Sequence, residues 1–450
     1  MDGTPRHPLT LAGIVLTTMS AVSFLGFFVI DLFGVHANPY LGIVAFIALP
    51  VIFVVGLALI PLGVWLARRR RLHGLAPAML EWPRVDLNRT RTRQVVFAVA
   101  VLTPVNLLIL SLAAYKGVEA MDSDGFCGQV CHQVMEPEYV AHQSGPHSRV
   151  ACVTCHIGTG AESFLRAKVN GVHQVYAVLL NTHQRPIPTP VSHMRSAPEV
   201  CESCHAPDRY FGEKTLAFRE YADDEKNAES VTTVRLKLGG TDSTGVAHGI
   251  HWHAAPGTRI EYVADDDARQ KIPYVRVRSA DGMLTEYFAE GVPAPPAGPM
   301  RRMDCMDCHN RASHTFAKSA ERAVNDAFAA GALPVSLPYL RRESLRLLKA
   351  GYPTQPDGLR GIAAGVSEFY ARAYPALKAA KSGDVDRAAI QLQLIYRRSV
   401  FPDMNVTWGS YPNNRGHMEF AGCFRCHDDS HKSKDGRAIS QDCSFCHEVE

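Results

Sequence analysis

Every cysteine in this 450-residue chain belongs to one of six short motifs. Five are regular Cys-x-x-Cys-His pentads: Cys152–Cys155–His156, Cys201–Cys204–His205, Cys305–Cys308–His309, Cys423–Cys426–His427 and Cys443–Cys446–His447. The remaining one, the first along the chain, is stretched by a residue: Cys127–Cys131–His132. The pattern reads as c-type haem attachment, in which two thiols add across the haem vinyl groups and the adjoining histidine ligates the iron. Six covalent haems constrain a fold more than any other feature here. They supply much of the hydrophobic core and predict long irregular connections, with little regular structure over residues 120–210.

Two rival explanations fit the cysteines less well. A disulfide framework suits an even cysteine count outside the cytosol, but gives no reason for a histidine after each second cysteine. Structural zinc uses paired Cys-x-x-Cys units, and again leaves those histidines without a purpose.

The N-terminal part predicts a membrane domain. The runs Pro8 to Ile30, Ala37 to Ala67 and Gln94 to Tyr115 carry no charged side chain, and each suffices to cross a hydrocarbon core, which takes about 20 apolar residues. Pro104 and Asn106 interrupt the third run, which membrane helices tolerate where neighbours satisfy the backbone. The first run has a thin basic flank, lacks a small-residue cleavage site and is followed at once by another span, so three retained helices are expected rather than a signal peptide. Between spans two and three lie Arg68, Arg69, Arg70, Arg71, Arg84, Arg89, Arg91 and Arg93 against Glu81 and Asp86. Such an excess marks the cytoplasmic side. Everything after Tyr115 is then extracytoplasmic, where bacteria attach c-type haem. The net charge of +3 is thus a topology signal, and no nucleic-acid partner is expected.

The fold class expected is a multihaem cytochrome c, mostly α and irregular, with three N-terminal transmembrane helices and a small antiparallel β insertion. Four regions follow: a membrane domain at 1–118, haems one to three at 119–210, a haem-free β-rich insertion at 211–300, and a helical region with haems four to six at 301–450. The exported part has about 330 residues, ample for a domain or two. Segments Val231–Leu238, Thr258–Val263, Pro273–Val277 and Leu284–Phe288 read as strands, with Ala280–Met283 as a hairpin turn. From Ala317 to Arg398 the pattern is helical, broken at Gly351–Gly358.

Histidines outside the motifs are candidates for the distal iron positions. His314 and His431 closely follow a motif, and His147 and His417 precede one. His251 and His253 flank Trp252, so an extended chain presents both on one face. These six rank above His142, His173, His183, His193 and His248. Met135 is a further candidate near the first haem, where a thioether ligand raises the potential relative to two histidines.

The run Phe126 to His132 with Met135, followed by Gly145–Pro–His147–Ser–Arg–Val–Ala–Cys152–Val–Thr–Cys155–His156, resembles the opening of NapC/NirT-type cytochromes. Those are membrane-anchored quinol dehydrogenases that pass electrons to periplasmic partners. Gly249–Ile–His251–Trp–His253, Cys305–Met–Asp–Cys308–His309–Asn–Arg and Gly422–Cys423–Phe–Arg–Cys426–His427 look like the longer multihaem branch, which includes inner-membrane cytochromes of respiration toward metal oxides. The resemblance implies a role for Met135 as the methionine after the first motif, here three residues past His132 rather than two. It also implies that Lys168 belongs to the quinol site. The family's acidic partner has no counterpart here, since His173 and Gln174 occupy its neighbourhood. Three spans instead of one imply a shaped quinol pocket or a membrane subunit.

The function expected is quinol oxidation at haem one in a bacterial inner membrane, with Glu119, Asp122, Asp124, Glu136, Glu138 or Lys168 as hydrogen-bonding or proton-relay groups. Electrons then pass to a periplasmic cytochrome or reductase docking near Cys423–His447. Two other classes remain at this stage: a terminal reductase with an open-coordinate haem, and a cytochrome subunit of a larger membrane complex.

Overall fold

The structure, a computed structural model, describes residues 8–32, 48–72, 86–130, 132–158, 161–191, 194–205, 212–241 and 247–449. Cys131, His193 and the stretch 73–85 with Arg84 lie outside the described residues, as does most of the first half of the expected second span. The chain forms two compact units, Met1–Cys131 and His132–Glu450.

The first unit contains α1 (Pro8–Leu32), α2 (Leu49–Leu72) and α3 (Thr90–Met121). All three are long and apolar enough to cross a membrane. Helices α1 and α2 pack through small residues. A Cβ on Gly13 would lie 2.7 Å from the Gly56 carbonyl oxygen, and one on Gly56 would lie 2.5 Å from Thr17 Oγ1. Such close approach is how helices associate where lipid removes the hydrophobic drive. Phe24, Phe53, Ile109 and Ala113 form the buried cluster of this unit. Val22, Phe97, Leu102 and Leu108 stay exposed, which suits a lipid-facing surface. Past α3, residues Phe126–Val130 form a π turn.

The second unit opens with α4 (His132–Gln143), α5 (Cys152–His156), α6 (Ala161–Leu179) and α7 (Ala197–Val200). Regular structure between 120 and 210 is therefore far more extensive than expected. Leu165, Val169, Val172, Tyr176 and Leu179 recur at helical spacing along α6, a periodicity that the irregular reading of this region passed over.

Two antiparallel sheets follow. β1 (Gly212–Tyr221) and β2 (Glu229–Thr241) form a long hairpin, running in register from Tyr221 opposite Glu229 to Glu213 opposite Lys237, with a register shift before Gly212 pairs with Gly239. β3 (Ala247–His248) pairs with the end of β2. The second sheet has the order β6–β5–β4–β7, from β4 (Arg259–Val263), β5 (Tyr274–Arg278), β6 (Leu284–Phe288) and β7 (Arg301–Arg302). The expected turn at Ala280–Met283 joins β5 to β6, with Gly282 at φ +86°. β1 was not anticipated, because Glu, Lys and Arg interrupt its apolar positions. The last strand, β8 (His447–Val449), returns from the C-terminus to pair with β2, setting Leu236 opposite His447.

After α8 (Cys305–Cys308), a helical layer forms from α9 (Ala320–Ala329), α10 (Leu340–Leu348), α11 (Gln355–Ala373), α12 (Pro375–Ala380) and α13 (Ser382–Ser399). Ser319 caps α9 by accepting from Arg322 N, and Thr354 caps α11 by accepting from Asp357 N, which satisfies donors that a helix start leaves unpaired. Val324, Leu340, Ile362, Tyr370, Leu392 and Tyr396 fill the core. Asn227, at the tip of the β1–β2 hairpin, docks this layer. Its side-chain amide donates to the carbonyls of Val335 (3.0 Å) and Leu337 (2.9 Å), and its oxygen accepts from Arg341 N (2.9 Å).

Leu392 is fully buried in this layer. Leu392→Ala is expected to cost about 2–5 kcal/mol of the unit's stability, read as a lowered denaturant midpoint at unchanged slope.

Candidate functional site

The motif histidines of the second unit stand opposite imidazoles from elsewhere in the chain. His156 faces His314, with ring centres 6.1 Å apart, and His205 faces His147 at 6.0 Å. His309 faces His251 at 6.4 Å with the rings nearly parallel, His427 faces His253 at 5.8 Å, and His447 faces His417 at 6.0 Å. With metal–nitrogen bonds of about 2 Å, and each ring centre about 1.1 Å behind its donor nitrogen, two imidazoles on opposite sides of one metal ion have centres roughly 6 Å apart. The spacing of all five pairs fits a metal between the rings.

Hydrogen bonding prepares the rings for that task. Nδ1 of His147 lies 3.0 Å from the Ala312 carbonyl, that of His314 2.9 Å from the Glu138 carbonyl, that of His253 2.7 Å from the Ile250 carbonyl, and that of His427 2.8 Å from the Ser440 carbonyl. An imidazole whose Nδ1–H is donated to a carbonyl carries its lone pair on Nε2, the tautomer that ligates a metal.

His251 and His253 are not on an extended chain, as the sequence suggested. They lie on a single 3₁₀ turn, Ile250–Ala254, entered through Gly249 at φ +74°. A Cβ on Gly249 would come within 2.6 Å of the Lys237 carbonyl oxygen, so a side chain there would clash. At three residues per turn, positions 251 and 253 point in different directions, and each meets a different motif histidine.

The thiols sit beside these rings. No disulfide joins Cys155, Cys201, Cys204, Cys305, Cys308, Cys423, Cys426, Cys443 or Cys446. Burial pushes the Cys201 thiol up to about 11, reinforced by Cys305 and Cys155. Burial likewise pushes Cys308 and Cys426 up to about 12; Cys423 adds to the first and Cys308 to the second. Cys155 feels Cys204, and Cys446 feels Cys423. Thiols of successive motifs are therefore electrostatic neighbours, from motif two through to motif six.

The first motif is built differently. Cys127 lies in the π turn, which takes one more residue per turn than an α-helix, whereas the regular pentad Cys152–His156 is an α-helical turn. Cys131 and the His132 side chain lie outside the described residues. Met135 is half-buried on α4 beside the buried Val134.

His431 is placed elsewhere. It is 3% exposed, with Nδ1 2.9 Å from Asp428 Oδ1 and Nε2 2.6 Å from the Ile272 carbonyl. Both ring nitrogens are thus engaged by acceptor oxygens instead of facing a motif histidine. Its short tether to His427, which raised it as a distal candidate, serves instead to pin the tail to the β4–β5 connection.

Glu138 is also committed. It is half-buried beside His314, whose Nδ1 is 3.1 Å from Oε2, with Arg311 Nη1 at 3.8 Å from Oε1. Burial raises its pKa, against the lowering effect of Arg311 and of a hydrogen bond from Tyr411. A carboxylate behind a histidine orients the ring and strengthens it as a ligand. Glu136 is half-buried on α4. Lys168 lies on α6 with Nζ 4.8 Å from the Phe164 ring centre, on a helix whose Leu165, Val169, Val172, Tyr176 and Leu179 are all exposed.

Other elements were not flagged by the sequence. Asp307, inside the fourth motif, is buried and accepts from Tyr262 Oη at 2.6 Å and Arg301 Nε at 3.0 Å. Arg425, inside the fifth motif, donates to the Asp307 carbonyl at 2.7 Å, so the two motifs are directly bonded. His142 and His183 each keep a buried Nδ1 without a hydrogen-bond partner among the described residues.

Residues 89–188 match the model of the NapC/NirT cytochrome c family, N-terminal region. The chain is 36% identical over 447 residues to the cytochrome c-type protein ImcH of Geobacter sulfurreducens, an alignment covering 98% of this chain and 88% of that protein. No solved structure matches. Similarity over nearly the whole length, together with motif thiols set beside facing imidazoles, leads to one assignment: the chain belongs to the NapC/NirT cytochrome c family, as a membrane-anchored c-type cytochrome of electron transport.

Proposed function

We propose that this protein is a hexahaem quinol dehydrogenase of the bacterial inner membrane, with three spans and its haem-bearing part in the periplasm. It would draw electrons from the quinol pool and deliver them to a periplasmic cytochrome or reductase. The observation that carries the reading is the set of five facing imidazole pairs, whose thiols are neighbours in chain order. When bound, haem supplies reversible one-electron chemistry at its iron.

The chain's own residues would divide the work as follows. His156, His205, His309, His427, His447 and His132 serve as proximal ligands. His314, His147, His251, His253 and His417 close the opposite positions of motifs two to six in the order of their pairs. Met135 and His142 are the candidates for motif one. Glu138 holds His314 in place and is withdrawn from the quinol site. Lys168 and Glu136 remain there: oxidation of quinol to quinone releases two electrons and two protons, and these groups would hydrogen-bond the ring oxygens or take up protons. The exposed apolar stripe of α6 supports this placement, because it offers the lipid boundary a surface beside Lys168. Filled distal positions at motifs two to six favour electron transfer over a reductase with an open site.

Two outcomes test the reading. Replacing Cys127 and Cys131 with alanine should abolish reduction by a quinol analogue while dithionite still reduces the remaining haems; undiminished quinol turnover would sink the proposal. His251→Ala and His417→Ala should each convert one haem from a low-spin to a high-spin signal in electron paramagnetic resonance. His431→Ala should instead leave the spin count unchanged and cost about 1–3 kcal/mol of stability, since it strands a buried carbonyl.

A further inference from the structure

Arg311 is a buried cation with its best donors unused. It follows motif four by two residues, and its side chain is 6% exposed. The guanidinium lies 4.1 Å from the ring centre of Tyr411 and 5.6 Å from that of Phe316. Among the described residues neither Nε nor Nη2 has a hydrogen-bond partner, and both are buried. Glu138 does not supply one. It reaches only Nη1, at 3.8 Å, which is beyond hydrogen-bonding distance, and its carboxylate is occupied by His314 and Tyr411.

Nε and Nη2 form one edge of the guanidinium, the two-pronged donor that matches the two oxygens of a carboxylate. A charged group with unmet donors in a dry site is strongly disfavoured, so the mature protein must bring an acceptor to that edge. Arg311 also acts electrostatically on His314, the imidazole opposite His156. A haem carries its own carboxylates, the propionates, and the group attached by motif two would bring them into this neighbourhood.

We propose that the Nε–Nη2 edge of Arg311 clamps a propionate carboxylate of the haem attached at Cys152 and Cys155, and so raises that haem's reduction potential. The proposal rests on the reading of His156 and His314 as an axial pair. A fixed positive charge favours the state with the additional electron, so losing it must shift the couple downward.

The test uses the full-length protein purified in detergent, as wild type, Arg311→Gln and Arg311→Lys. Haem content, low-spin signals and a potentiometric titration are recorded for each. Arg311→Gln should keep its full haem complement, while one potential falls by a factor of ten in the one-electron equilibrium, about 59 mV. Arg311→Lys, which keeps the charge but lacks the fork, should shift the same haem downward by a factor of about three. Unchanged potentials in a fully loaded Gln variant overturn the clamp. Should that variant fail to fold, a Lys variant with wild-type potentials overturns it equally. Titrating inorganic phosphate into the wild type separates a covalently tethered carboxylate from a free oxyanion; a potential that follows phosphate overturns the propionate assignment. Failure of the underlying haem reading would appear differently, as wild-type protein with no haem on the Cys152–Cys155 peptide.

Discussion

The second unit depends on imidazoles meeting across long stretches of chain. His147 and His205 are brought together from opposite ends of the α4–α7 segment, and His156 meets His314 from beyond both sheets. Each pair closes a long loop, and loop closure costs conformational entropy that grows slowly with length. A metal held between two rings, as proposed above, would return that cost, because ligand binding and folding draw on the same free energy. The protein frame around the pairs is accordingly polar and hydrogen-bonded. Carbonyls of Ala312, Glu138, Ile250 and Ser440 hold the rings, while the largest apolar cluster lies in the helical layer of α9 to α13 and smaller ones, around Phe316 and Tyr411 and around Ile260 and Val275, lie in the motif region.

That division explains the unusual arrangement of parts. The layer of α9 to α13 contains no motif, yet the tip of the β1–β2 hairpin is bonded into it through Asn227. It provides an abutment with a large hydrophobic core of its own, against which the motif region and its smaller clusters can be ordered. Arg425 and Asp307 do a related task within the motif region, by bonding motif five to motif four. Fixed separation between successive motifs is what a series of one-electron carriers requires.

Much of this was legible in the sequence, for a definite reason. Cys-x-x-Cys-His is a covalent signature whose chemistry lies within five residues, and an uncharged run in a helix is a solvent statement that needs no tertiary context. The strands β2, β4, β5 and β6 and the turn at Gly282 were readable for the same local reasons. What failed was whatever depends on a distant partner. His431 has the same short tether to a motif as His314, but an aspartate three residues upstream and the Ile272 carbonyl claim both its nitrogens. Glu138 looked like one acid among several until His314 was placed beside it. The 3₁₀ turn at His251 and His253 follows from Gly249 being pressed against the Lys237 backbone, which no local pattern announces.

The return of β8 to β2 has a consequence for the far end of the series. His447 is both the last motif histidine and the first residue of a strand paired with Leu236. Strand neighbours alternate faces, so a slip of one residue would turn the ring to the opposite side of the sheet. The orientation of the terminal site is therefore quantised: a ladder of backbone hydrogen bonds permits one setting or its mirror side, and nothing between. The segment that carries the last motif becomes a keyed fitting, locked to a hairpin laid down two hundred residues earlier.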